Sequence, residues 1–271
     1  MCLNMRHCKI CGGETDVTHR GTLLNKHDIS YHMCRDCAYW CTDEPTWLDE
    51  AYSDAIAATD TGLMVRNLYV AGVLRSVLSQ LFAEGVYVDW AGGHGVLVRL
   101  MRDAGFDFYW QDRYAQNLFA RGFEWGADSG SLPATLATAI EVLEHAPDPV
   151  VLLEECLAGS GADSIFLTQE LHTGGGDHDW WYLSPVTGQH ISFFSARTLD
   201  VLGRRLGMNV LSAGTMHLFT RRPIKQSRFT FAVRSARLPG RLTGRGRNSL
   251  SWADHVSLTR RLTGGDVASG S

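Results

Sequence analysis

The sequence predicts an α/β protein, a parallel and doubly wound sheet with a small cysteine-rich unit ahead of it. Three observations predict this. Short apolar runs alternate with amphipathic stretches at helical spacing through the middle of the chain. One run, Val86-Tyr87-Val88-Asp89-Trp90, ends in an acid and enters the glycine-rich turn Ala91-Gly92-Gly93-His94-Gly95. Two C-x-x-C pairs, Cys8/Cys11 and Cys34/Cys37, stand close to the amino terminus.

Composition sets the scale. The 271 residues suffice for one full α/β core plus an appendage. Hydrophobic content of 45% with 20% charged residues is that of a water-soluble globular chain. No apolar run reaches the roughly 18 residues of a membrane span. Met1–His7 lacks the apolar core of a signal peptide, so the expected location is cytoplasmic. Charge is uneven. From Arg221 onward eleven Lys/Arg face two acids, whereas the rest of the chain holds 14 basic and 27 acidic residues. The acidic body argues against nucleic acid lying across it. The basic end suits phosphates, anionic lipid, the protein's own acidic body, or solvation alone.

The elements follow in order. Cys8-Lys9-Ile10-Cys11 and Cys34-Arg35-Asp36-Cys37 are separated by 22 residues. Four thiolates at this spacing close a tetrahedral Cys₄ zinc site, structural because no coordination position stays open. Disulfides are the alternative, disfavoured in a reducing compartment. Cys2, Cys41 and Cys156 are read as bystanders. The expected division is a zinc ribbon at 1–47, a helical connector at 48–84, the main α/β domain at 85–222 and a basic tail at 223–271. Leu48–Tyr52 reads as helical, and Leu63–Phe82 as a long helix. After the glycine turn comes the helical stretch Val96–Met101. Phe106–Trp110 reads as a strand, Ala115–Ala120 as helix, Thr138–Ile140 as a strand and Pro149–Leu157 as helix. Ser164–Thr168 is a further strand and His172–Thr187 a long loop. Ser195–Leu206 reads as a capped helix, and Met208–Leu211 with His217–Thr220 as a closing hairpin.

The strand–turn–helix unit makes a nucleotide-type cofactor cradle. Glycines admit close approach and the helix start presents unpaired N–H groups. Asp112, 23 residues after Asp89, stands where an acid meets ribose hydroxyls, which fits a nicotinamide dinucleotide as well as S-adenosylmethionine. Glu141-Val142-Leu143-Glu144-His145-Ala146-Pro147-Asp148-Pro149 decides between them. It resembles the E-V-x-E-H-x-x-D-P segment of class I S-adenosylmethionine-dependent methyltransferases, and the order Asp89, Gly92-Gly93-His94-Gly95, Asp112, Glu141, Glu144-His145 matches that family from about residue 86 to 211. Ala91 departs from the usual first glycine. The resemblance implies a Rossmann-like domain with Asp89, Ala91, Gly92, Gly93, Gly95, Asp112 and Glu141 about the cofactor. It puts adenine near Ala127-Asp128.

Gly188-Gln189-His190-Ile191-Ser192-Phe193-Phe194-Ser195 resembles the E-H-x-x-Y-F-S stretch of deoxysugar C-methyltransferases, which also carry an N-terminal Cys₄ zinc domain. That resemblance implies His190 as base. Gln189 replaces the acidic neighbour and the large C-terminal domain of that family is missing, which points to a sugar hydroxyl rather than a carbon acid. The expected acceptor is a nucleotide sugar, surface polysaccharide or glycolipid. Glu144 and His145 are expected beside His190, with Trp180, Trp181 and Tyr182 shaping the acceptor pocket. Glu141, Glu144, His145 and His190 also resemble the E-x-x-E-H…H set of small-RNA 2′-O-methyltransferases, and this implies a second, divalent cation. An rRNA methyltransferase and a non-catalytic scaffold are the remaining alternatives.

Overall fold

A computed structural model describes residues 7–52, 59–82, 84–126, 132–174, 179–236 and 247–263. Its elements are β1 (Thr15–Leu23), β2 (His27–Cys34), β3 (Trp40–Thr42), α1 (Leu48–Ala51), α2 (Leu63–Leu81), β4 (Val86–Trp90), α3 (Val96–Asp103), β5 (Asp107–Gln111), β6 (Leu136–Ala139), α4 (Pro149–Ser160), β7 (Ser164–Thr168), β8 (Ser192–Phe193), α5 (Ala196–Arg205), β9 (Asn209–Ala213), β10 (Met216–Thr220), α6 (Gln226–Ser235) and α7 (Ser251–Thr263). No helix among the described residues is long and apolar enough to cross a membrane.

The main sheet has the order β5-β4-β6-β7-β10-β9. Its first four strands are parallel, and β10 runs antiparallel to both β7 and β9. The sheet is therefore mixed rather than wholly parallel. The reason is local, because Gly214-Thr215 joins β9 to β10 as a tight hairpin, which only antiparallel strands allow. Alternate residues of one strand enter opposite cores. Val88, Ile165, Leu167 and Phe219 pack with α4 and α5, while Tyr87, Phe166 and Leu218 pack with α2, α3 and α6. Helices thus cover both faces.

The cysteine-rich unit is not a separate body. β1, β2 and β3 form a sheet completed by β8, where Trp40 pairs with Phe193 and Cys41 with Ser192. Cys8, Ile10, Cys34, Cys37 and Tyr39 join the core on the α4–α5 side. A unit too small for its own core has borrowed one.

Two expected elements differ. Ala115–Ala120 is not helical. The Asp112 carboxylate accepts from the Tyr114 and Ala115 amides, and the His94 carbonyl accepts from Leu118 and Phe119, so the segment wraps the glycine turn instead of bonding to itself. Within the expected basic tail, the described residues include two helices that pack on the body. α6 buries Phe229, Ala232 and Val233 against α2. α7 docks through Asp254, which accepts from Arg102 at 2.7 and 2.9 Å and from Arg99 at 2.9 Å. Asp254→Ala leaves the buried Arg102 guanidinium short of its main partner. We expect a loss of about 3–5 kcal/mol in urea unfolding; a change near zero would mean α7 does not dock this way.

Candidate active site and metal centre

The carboxyl ends of β4 and β6 and the turns beyond them build the site. Asp89, the last buried residue of β4, accepts from the Thr138 hydroxyl at 2.5 Å, and burial pushes its carboxyl up to about 7. A Cβ at Gly92 would lie 2.8 Å from the Asp89 carboxylate, which excludes a side chain there. At Gly93, φ is +54° and a Cβ would meet no protein atom within 4 Å, so the turn's open face lies here. Asp112 accepts from the Gly93 amide at 2.9 Å and holds the turn's shape, while the Trp110 indole donates to the Gly93 carbonyl at 2.7 Å. Ala91 itself sits at φ +57°, the left-handed region that its Cβ disfavours. Ala91→Gly is therefore expected to raise stability by about 1 kcal/mol, read as a higher melting temperature; a lower one would show that the strain is not there.

Beyond β6 the chain turns sharply at Glu141, φ +56°. The Glu141 carboxylate accepts from the Thr168 hydroxyl at 2.7 Å and lies 3.6 Å from Arg66 at the start of α2. A 3₁₀ turn, Leu143–His145, then delivers Glu144 and His145. His190 arrives from the loop before β8. The ligating atoms of Glu144, His145 and His190 all lie within 4.8 Å of one another. Glu141 is not in this group, because Thr168 and Arg66 hold it elsewhere; the four-residue cation set reduces to three.

Both imidazoles are oriented by backbone carbonyls. His190 Nδ1–H donates to Tyr182 O at 2.6 Å and His145 Nδ1–H to Gln189 O at 3.1 Å, which fixes the tautomer and leaves each Nε2 with its lone pair. The rings meet edge to face, 4.9 Å apart. Burial, then the neighbouring His145, hold His190 below the ordinary imidazole range against the pull of Glu144. Burial lowers His145 too, and burial followed by Glu141 raises Glu144. Glu144 Oε1 accepts from the Tyr182 hydroxyl at 2.8 Å, whereas its fully buried Oε2 has no partner. Gln189 explains its departure from an acid, since its amide donates to Ala51 O at 2.8 Å, a bond no carboxylate makes.

The aromatic triplet divides. Tyr182 is buried beside His190, with rings 4.6 Å apart, and Trp180 stacks on Trp40 of β3. Trp181 is 73% exposed and faces away, because the 3₁₀ turn Trp181–Leu183 points successive residues in different directions. Trp40, Gln169 and His172 were not singled out as a set by sequence; Trp40 meets His172 edge to face and Gln169 bonds to Tyr182. Ala127-Asp128, expected near adenine, and His178 of the loop lie outside the described residues.

The four cysteines converge. Cys8 and Cys37 sulfurs are 3.5 Å apart, Cys11 and Cys34 sulfurs 3.4 Å, and all four lie within 4.8 Å. A tetrahedral zinc with bonds near 2.3 Å needs S–S edges of about 3.8 Å. A disulfide needs about 2.05 Å, and none of the four forms one. Amides of Ile10 and Gly13 donate to Cys8 and Cys11 sulfurs, as thiolates require. The donor set fits zinc.

A cavity of about 800 Å³ lies at the opposite, amino-terminal edge of the sheet, bordered by Gly85, Arg102, Asp107, Arg247 and Asp254. Arg102 already pairs with Asp107 and Asp254 there. It is far from the glycine turn in the strand direction and offers no comparable set of unspent groups.

This sheet, with its glycine turn at the end of β4, is the Rossmann-like fold of class I methyltransferases. The profile of the methyltransferase-domain family matches residues 65–213, more than half of the chain, and the protein belongs to that family. Comparison with curated proteins finds no match. Solved structures of similar trace include TnmH, at 20% identity over 65% of this chain and TM-score 0.47. They also include PhzM, a pyocyanin biosynthetic protein, at 15% over 63% and 0.44. A third is magnesium protoporphyrin IX methyltransferase of Synechocystis PCC 6803 with bound SAH, at 14% over 64% of this chain and 0.41. The match covers 60% of TnmH, 61% of PhzM and 90% of the Synechocystis enzyme.

Proposed function

We propose that this methyltransferase uses S-adenosylmethionine to methylate a hydroxyl of a small sugar acceptor, either a nucleotide sugar or a sugar unit of a polysaccharide or glycolipid. The observation that carries this is His190, half-buried and neutral, pinned through Nδ1 by Tyr182 O and grouped with Glu144. The Gly92–Gly95 backbone is suited to the methionine end of the cofactor, whose sulfonium supplies an electrophilic methyl group. The lone pairs that Asp112 keeps beyond its three amide bonds suit a ribose hydroxyl. His190 Nε2 takes the proton of the acceptor hydroxyl, and the Glu144 carboxylate stabilises the imidazolium that forms. Trp180 and Tyr182 wall the acceptor. Cys8, Cys11, Cys34 and Cys37 hold a structural zinc.

A divalent cation on Glu144, His145 and His190 is the alternative, favoured by their mutual approach within 4.8 Å. Chelator dialysis followed by add-back of magnesium or manganese separates the two. General-base chemistry keeps its rate when only the cysteine-held zinc remains.

The functional test is transfer of a labelled methyl group from S-adenosylmethionine to a panel of UDP-glucose, UDP-N-acetylglucosamine, methyl α-glucoside and methyl α-mannoside, with an rRNA transcript alongside. O-methylation of a panel sugar is expected. Transfer to the RNA, or to none of the sugars, contradicts the proposal.

A further inference from the structure

Five buried side-chain polar atoms among the described residues lack a hydrogen-bond partner, and four belong to one cluster. They are Trp40 Nε1, Gln169 Oε1, His172 Nδ1 and Glu144 Oε2. Folded proteins leave few such atoms, so four together call for one explanation. The contacts tie them around Trp180 and Tyr182. Gln169 Nε2 donates to the Tyr182 hydroxyl at 3.2 Å, and that hydroxyl donates to Glu144. The Trp40 indole lies 5.9 Å from the His172 ring and 6.4 Å from Trp180, and His172 lies 6.3 Å from Trp180.

The second cysteine knuckle sets this geometry. The Ala38 carbonyl accepts from His172 Nε2–H at 3.0 Å. His172 is neutral because burial lowers its basicity, so its Nδ1 is a lone-pair acceptor. The Cys37 carbonyl accepts from Thr198 at 2.9 Å, and the Tyr39 hydroxyl meets Ser192 at 2.6 Å. Trp40 follows directly. The cluster therefore holds, closed from solvent in this structure, one unspent donor, Trp40 Nε1, and three unspent acceptors, Gln169 Oε1, His172 Nδ1 and Glu144 Oε2. Water satisfies such atoms indifferently. A ring bearing several hydroxyls satisfies them selectively, because each hydroxyl both donates and accepts.

We infer that Trp40, Gln169 and His172 recognise the acceptor, and that the zinc-bearing ribbon is one wall of the acceptor site rather than an accessory. The inference rests on the sugar-hydroxyl reading above and adds the residues that select the sugar. None of the three is placed at the reacting proton.

The test uses Trp40→Phe and Gln169→Met, which stay apolar or near-isosteric and remove the polar atoms. With the best-turned-over panel sugar, each variant is expected to raise acceptor KM about tenfold and to leave the dissociation constant of S-adenosylmethionine unchanged. Each is also expected to melt somewhat below wild type without acceptor, because Trp40→Phe leaves a cavity in the core and Gln169→Met drops the bond to the Tyr182 hydroxyl. Unchanged acceptor KM with active wild type overturns this inference and spares the functional reading; no sugar turned over by wild type overturns both. Should either variant fail to fold, amide exchange of wild-type residues 39–42 decides. Saturating acceptor sugar is expected to slow it, and no change overturns the inference.

Discussion

His190→Ala is expected to reduce turnover by about 10²–10⁴-fold and to leave cofactor affinity intact. Its ring touches Tyr182, His145 and the Tyr182 carbonyl, and none of the glycine turn. Binding of S-adenosylhomocysteine, read by calorimetry, should therefore match wild type. Wild type should also show a characteristic pH dependence. The base works only with Nε2 unprotonated, and burial places its pKa below 6.5. The rate then falls as pH drops, first as the Glu144 carboxyl, raised by burial to about 7, takes up its proton and further as His190 Nε2 does. The variant's residual rate should lack this acid limb. Turnover within threefold of wild type would remove His190 from the proton path.

Loss of the zinc proposed for the four cysteines should produce the largest structural effect. Structural zinc sites contribute on the order of 10 kcal/mol to the small units they close. Here the knuckles lie inside the α4–α5 core, and β3 carries β8, two residues beyond His190. Cys34→Ser is expected to lower the melting temperature by about 10 °C or more and to reduce zinc from one equivalent to near none by elemental analysis. Acceptor affinity should fall further than cofactor affinity, since the proposed acceptor wall includes the ribbon. A variant that melts like wild type would mean the four thiols bind nothing of consequence.

Much of the site was legible from local pattern. The Asp89–Gly95 turn, each knuckle, Glu144-His145 and the segment around His190 stand out as short local patterns, and the structure brings Glu144, His145 and His190 together. What escaped depends on contacts distant in sequence. The strand pair Trp40–Phe193 spans about 150 residues and has no local signature. Ala115–Ala120 has helix-forming residues, but Asp112 and the His94 carbonyl claim its amides. Glu141 shares a motif with Glu144 and yet turns to Thr168, because a positive-φ residue redirects the chain. Trp181 sits between two useful aromatics and faces solvent. The basic end left phosphates, anionic lipid, the acidic body and solvent open, and only the fold shows Arg222 paired with Asp163 and Arg247 near Glu84, acids of the body.

The most direct test of the central claim is a structure of the complex with S-adenosylhomocysteine and the panel sugar that is methylated best. The acceptor oxygen is expected about 2.6–3.2 Å from His190 Nε2, with a sugar hydroxyl on Trp40 or Gln169 and no ion between them. A metal ion bridging Glu144, His145 and His190 to that oxygen, or an acceptor bound away from His190, would contradict it.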